Sequence, residues 1–117
     1  MFVITKDFAL SVSHQLHGLR DGHPCARLHG HNVTVRVELQ AEELDGVGFV
    51  LDYGDLAPLG DWLDAEFDHR HLNDVVDFNP TAEHMADHIF AWCAERGWPV
   101  SAVGWSETPK TWAWIRP

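Results

Sequence analysis

Three histidines and a cysteine occupy positions from which they could do metal chemistry. The run Cys25-Ala-Arg-Leu-His29-Gly-His31 sets two imidazoles one glycine apart. On a β-strand both would project from the same side, because side chains alternate faces with a period of two. His14 ends the preceding apolar run. Three neutral imidazoles converging on one point supply what a catalytic zinc needs, three bonds of about 2.0–2.1 Å and an open fourth position. An all-imidazole set suits zinc best among the common metals. Any one of these histidines alone would be ordinary, and their shared parity and spacing make the set. Cys25 has two readings. It is a thiol beside the metal acting as acid/base or nucleophile, or it is a fourth ligand that closes a structural site.

Two smaller groups accompany this trio. In Phe67-Asp68-His69-Arg70-His71-Leu72-Asn73 a carboxylate stands beside an imidazole that it could orient and make more basic. That partnership works at a turn or helix end, and the plainer reading is a solvated helix terminus. His71 is read as loop. Glu107 shares parity with Val103 and Trp105 at the end of an apolar strand, where a carboxylate is costly unless it meets a donor. A planar ligand with two N–H groups, as in a pterin or guanine, would meet it bidentately. A rim carboxylate in a turn is the alternative.

The elements that must position these groups are legible as patterns. Residues 2–14 read as a strand with Phe8, Leu10, Val12 and His14 on one face. Residues 16–28, with Gly18, Gly22 and Pro24, read as loop. From His29 to Gln40 the valines and Leu39 alternate with polar residues, and His29 and His31 share the apolar parity. The spacing predicts a turn at residues 43–48 and a short strand from Phe49 to Leu51. Leu56, Leu59, Leu63 and Phe67 then recur at helical spacing behind Asp52 or Asp55 as a cap. A polar loop runs from Asp68 to Asn79. Pro80-Thr81 opens a second helix with Met85, Ala86, Ile89, Phe90 and Cys93 as its buried stripe, ended by Gly97. Strands from Val100 to Trp105 and Thr111 to Ile115 close the chain around a Glu107-Thr108-Pro109 turn. The order β-β-β-α-α-β-β predicts an α+β fold, an antiparallel sheet with two helices on one face.

Length and charge bound the rest. At 117 residues the chain is expected to form one domain, residues 1–117. A formal net charge of −10 argues against nucleic-acid or anionic-membrane partners. No run approaches the roughly 18 apolar residues of a membrane span. The N-terminal residues lack the basic region of a secretory signal, and two cysteines make no disulfide framework. These features point to the cytoplasm.

Taken together, the segments resemble the 6-pyruvoyltetrahydropterin synthase / 6-carboxytetrahydropterin synthase family. The matching pieces are Ser11-Val-Ser-His14-Gln-Leu16, Cys25-Ala-Arg-Leu-His-Gly-His-Asn32, Val50-Leu-Asp-Tyr-Gly-Asp-Leu56, Asp68-His-Arg-His-Leu-Asn73, Asn79-Pro-Thr-Ala-Glu83 and Trp105-Ser-Glu-Thr-Pro109. They run in the family's order over nearly the whole chain, and the Cys-x-x-x-His-Gly-His element is highly specific. Leu10 stands where a phenylalanine is usual, and Val12-Ser13 replaces a pair of alanines. Both are packing changes.

The resemblance implies a tunnelling fold assembled as a homohexamer of two trimers, with active sites between subunits. It implies Zn²⁺ on His14, His29 and His31, and 7,8-dihydroneopterin triphosphate as substrate. Cys25, Asp68 and His69 would be the catalytic residues. Glu107 would anchor the pterin ring, and Thr81 and Glu83 would support the pocket. The short chain and its Glu-Thr-Pro ending look like the bacterial 6-carboxytetrahydropterin synthases of queuosine biosynthesis, which release acetaldehyde and triphosphate. Elimination of triphosphate to give 6-pyruvoyltetrahydropterin is the alternative product. A non-catalytic zinc protein, or a module that only binds pterins, completes the alternatives.

Overall fold

Two long strands set the frame of this computed structural model, which describes residues 1–117. β1 (Phe2–His14) and β2 (His29–Ala41) pair antiparallel from Phe2↔Ala41 to His14↔His29 without a slip. Such strict register follows when one face of each strand is buried, because a one-residue slip would turn every valine outward. β4 (Val100–Thr108) pairs with β2, and β5 (Thr111–Ile115) with β4, both antiparallel. The sheet order is β3-β1-β2-β4-β5. The expected α+β class is thus observed.

The helices lie against the apolar face. α1 (Ala57–Glu66) contributes Leu59 and Leu63, and α3 (Ala82–Glu95) contributes Met85, Ala86, Ile89 and Cys93. They meet Leu10, Val12, Val33, Val35, Val37, Leu39, Val103 and Trp105 in one core. Burying each of these larger side chains contributes about 1.5–3 kcal/mol. Burial also pushes the Cys93 thiol up to about 12, so this cysteine is an inert core residue. Thr81 caps α3, its hydroxyl accepting the His84 N–H at 3.1 Å. Asp52 caps the 3-10 turn Tyr53–Leu56 that leads into α1.

Three expectations need correction. The stretch Phe49–Leu51 is not a strand. The Asp45 carboxylate accepts the N–H groups of Val47, Gly48 and Phe49 and winds the chain into a turn instead. Val50 and Leu51 owe their apolar character to packing on the core. The fifth strand is β3 (Arg70–His71), inside the stretch expected to be loop, and it runs parallel to β1 through Val12↔Arg70 and Ser13↔His71. A single helical turn, α2 (Leu72–Val75), follows and buries Leu72. β4 also continues past Trp105 to Thr108, so Glu107 stands within a strand.

The other face of the sheet carries no helix. There Trp112 and Trp114 stack with ring centroids 5.5 Å apart, and the Arg36 and Arg116 guanidinium groups cover them. Gly104 lies directly beneath Trp114. A Cβ at that position would stand 2.8 Å from the indole ring, so only glycine admits this packing.

Candidate metal centre and active site

Register brings the three histidines together. His14 and His29 are direct cross-strand partners, and His31 lies opposite Val12 on the same face. The ring centroids are 4.5, 4.8 and 5.1 Å apart, and one nitrogen from each ring lies within 4.8 Å of the others. This is the group that could hold a metal ion, and Cys25 is not part of it.

The hydrogen bonds behind the rings fix their tautomers. His14 Nδ1 donates to the Pro80 carbonyl at 2.9 Å, and His29 Nδ1 donates to the Arg27 carbonyl at 2.7 Å. A carbonyl can only accept, so in the neutral rings both protons sit on Nδ1 and both Nε2 atoms present lone pairs. Those two Nε2 atoms face each other at 2.9 Å. His31 Nε2 is buried and has no hydrogen-bond partner. Burial holds His14, only 1% exposed, below the ordinary histidine value, which keeps it in the ligand form. The two Nε2 lone pairs facing each other without a proton between them repel one another, and a cation among the three rings converts that repulsion into attraction. Backbone carbonyls orienting imidazoles through their far nitrogens are the usual outer support of a metal site. The residues fit the metal that the pattern implies.

Glu107 lies beside this group. Its Oε2 lies 3.5 Å from His31 Nε2 and its Oε1 3.9 Å from His14 Nε2. The Trp105 indole N–H donates to Oε1 at 3.3 Å. Trp105 and Glu107 share a face on β4, as their parity in the sequence indicates.

Cys25 sits half-buried on a 3-10 turn, Pro24–Ala26, that is tied at both ends. Its N–H donates to His23 Nδ1 at 3.0 Å, and its carbonyl accepts the Leu16 N–H at 3.1 Å. The chain just beyond His14 is clamped in turn. The Asn73 amide makes two hydrogen bonds to the Gln15 backbone, and the Asn79 amide makes two to His17. These side-chain amides continue the β1 ladder where no strand is available. None of His23, Asn73, Asn79, Pro80 or Arg27 is singled out by residue type alone.

Asp68 and His69 form a pair elsewhere. Asp68 Oδ2 meets His69 Nδ1 at 2.9 Å, and Oδ1 accepts the Ser11 N–H at 2.9 Å. The Ser11 N–H and the His69 ring hold the Asp68 carboxyl below the usual carboxylate range. His69 adopts a left-handed backbone, φ 58°, which is uncommon for a non-glycine residue and marks a place where geometry is imposed. Its ring is 79% exposed. The pair borders a cleft of about 320 Å³ with Ser11, Asn32 and Thr34. Those three residues have the opposite parity to the metal histidines, so within one chain the pair and the trio occupy opposite faces of the sheet. His71 bonds Ser13 Oγ through Nδ1 at 2.9 Å on that same side. Thr81 is the α3 cap, and Glu83 is an exposed acid in the helix's first turn.

Comparisons with known proteins identify the family. The model of the family described as 6-pyruvoyl tetrahydropterin synthase matches residues 3–117. An Archaeoglobus fulgidus protein provisionally named 6-carboxy-5,6,7,8-tetrahydropterin synthase is 34% identical over 114 residues, 97% of this chain and 95% of that protein. The 6-carboxy-5,6,7,8-tetrahydropterin synthase of Bacillus subtilis is 33% identical over 96 residues, 76% of this chain and 63% of its own length. The structure of Caenorhabditis elegans 6-pyruvoyl tetrahydropterin synthase superposes with a TM-score of 0.86 at 25% identity, over 99% of this chain and 95% of that one. A match that runs almost end to end, in sequence and in fold, leaves one conclusion: the chain is a lyase-type enzyme that belongs to the 6-pyruvoyl tetrahydropterin synthase family.

Proposed function

We propose that this enzyme converts 7,8-dihydroneopterin triphosphate to 6-carboxy-5,6,7,8-tetrahydropterin, releasing acetaldehyde and triphosphate, with Zn²⁺ held by His14, His29 and His31. The observation that carries the reading is the pair of Nε2 lone pairs 2.9 Å apart, their tautomers fixed by the Pro80 and Arg27 carbonyls. The names of the sequence relatives support the carboxy product. Zinc bound there would polarise the hydroxyls of the substrate's side chain and acidify the carbons that bear them.

The chain's own residues supply the remaining chemistry. Glu107 would take the N–H groups of the pterin ring on its carboxylate and so set which side-chain carbon lies over the thiol. Cys25 Sγ would accept the proton released at that carbon and return it later. Asp68 holds His69 by Nδ1, leaving His69 Nε2 as the proton-carrying end of the relay. Thr81 and Glu83, at the start of α3, would support the pocket. Because the relay and the metal histidines lie on opposite faces of one chain, a complete site would need Asp68 and His69 from a neighbouring subunit, as in a hexamer of two trimers. The setting would be the cytoplasm and the pathway queuosine biosynthesis. The likeness to a 6-pyruvoyl tetrahydropterin synthase structure favours a second reading, elimination of triphosphate to the pyruvoyl product.

Replacing the thiol tests the assignment. Cys25→Ala is expected to keep its zinc and lose turnover of dihydroneopterin triphosphate by about 10²-fold or more, the size typical of a positioned acid/base. Loss of zinc from that variant, with turnover abolished as a consequence, would instead make Cys25 a fourth ligand and the site a structural one.

A further inference from the structure

The edge of β1 beside β3 carries a cleft of about 300 Å³, lined by Ser11, Val12, Ser13, His69, Arg70 and His71. Its ionisable groups are one arginine and two histidines, in a chain with 18 acidic residues and a formal net charge of −10. Asp68 adjoins it with both oxygens engaged, Oδ1 by the Ser11 N–H and Oδ2 by His69 Nδ1. Arg36, Arg96 and Arg116 each meet a carboxylate, at 2.7, 3.9 and 3.1 Å, whereas the Arg70 guanidinium meets none. We infer that this cleft binds the triphosphate of the substrate, with Arg70 as its principal anchor. The inference rests on the substrate reading above and deepens it.

The backbone brings these groups to one place. The His69 N–H donates to the Ser11 carbonyl at 2.6 Å, and the Arg70 N–H donates to the Phe67 carbonyl at 3.1 Å. The main chain is pinned while the Arg70 guanidinium stays free to form a two-pronged pair with a phosphate. His71 Nδ1 bonds Ser13 Oγ at 2.9 Å. In the tautomer that accepts the Ser13 proton, His71 Nε2 carries the N–H that an anion needs. A cleft of this size is at the low end of small-molecule pockets. It suits a phosphate tail and leaves the pterin ring to Glu107. The tail is attached one carbon beyond the hydroxyl-bearing carbons where protons move, so its anchor has to lie close to the relay. Arg70 follows His69 directly. The subunit that supplies the relay would therefore also hold the tail.

Inorganic triphosphate reads the cleft without turnover. Its affinity is measured by calorimetry for the zinc-loaded full chain and for Arg70→Gln and Arg70→Lys, with zinc content checked before and after. Arg70→Gln is expected to bind it about ten- to a hundred-fold more weakly, the factor that follows from losing a hydrogen-bonded charge partner. Arg70→Lys keeps the charge without the fork and should lie between. Binding of 7,8-dihydroneopterin, which lacks the tail, should be equal in all three chains. The kcat/KM for dihydroneopterin triphosphate should fall in step with triphosphate affinity. Equal triphosphate affinity in the wild type and Arg70→Gln would overturn the inference. So would a matching loss of dihydroneopterin binding, which would give Arg70 a merely structural role. Weaker inorganic triphosphate with unchanged kcat/KM for the ester would overturn it as well, the cleft then serving a free anion. Triphosphate binding that depends on Arg70 in a chain that turns over no pterin would sink the proposed reaction and leave the anion cleft standing.

Discussion

His14 shows how much one side chain can encode. It is buried beside two other histidines, it gives its single proton to the Pro80 carbonyl, and its remaining nitrogen meets another lone pair at 2.9 Å. A metal cation held among the three rings removes that conflict. Asp68 is settled by the opposite logic, since every neighbour within reach donates to it. Its carboxyl is depressed in the folded chain by the Ser11 N–H and by His69. Its stabilising contribution is therefore present above the unfolded value of about 3.9 and is lost as pH falls through the folded one. Asp68→Asn is expected to be less stable than the wild type in urea at pH 7, with the gap closing below about pH 3.9. A gap that stays constant to pH 3 would show that the carboxylate's charge contributes nothing.

At the scale of elements, the strands were legible and the connections were not. Strict alternation in β1 and β2 gives both strands and places His14, His29 and His31 on the buried face, because period two leaves no other choice. A short apolar run misleads at Phe49–Leu51, where Val50 and Leu51 pack on the core without a partner strand and Phe49 is exposed. β3 escapes notice because two residues carry no period, and its pairing depends on the Ser11 carbonyl meeting the His69 N–H. The opposite faces of the two groups could be read from parity for the histidines, but not for Asp68, which lies outside any periodic segment. Carbonyl partners such as Pro80 and Arg27 leave no trace in residue type. The Cys25 turn is the clearest hidden element, pinned by His23 Nδ1 on one side and by Leu16 on the other. His23→Ala should speed exchange of the Cys25 amide hydrogen and change the rate of thiol alkylation, while zinc content stays the same. His23→Asn, whose Oδ1 can accept the same N–H, should restore both. Equal exchange rates in His23→Ala and the wild type would remove His23 from the account.

Across the whole molecule, the decisive feature is that one chain carries the histidine trio and the Asp68–His69 pair on two sides of one sheet, the two halves of the proposed site. The metal histidines and Glu107 face the helices' side, and Asp68 with His69 borders the cleft on the bare side. If the relay is assembled between subunits, as proposed, inactive variants become complementary. Mixing unfolded Cys25→Ala with His69→Ala and refolding them together should restore about a quarter of the wild-type rate, the share of correctly paired sites in a randomly mixed symmetric oligomer. Each variant refolded alone should stay inactive, and a mixture no better than its parts would place the whole site within one chain. Incubation of the zinc-loaded chain with 7,8-dihydroneopterin triphosphate, with products identified by mass, bears most directly on the reaction. The account predicts acetaldehyde, triphosphate and 6-carboxy-5,6,7,8-tetrahydropterin in equal amounts, and an unconsumed substrate in the presence of stoichiometric zinc would contradict it.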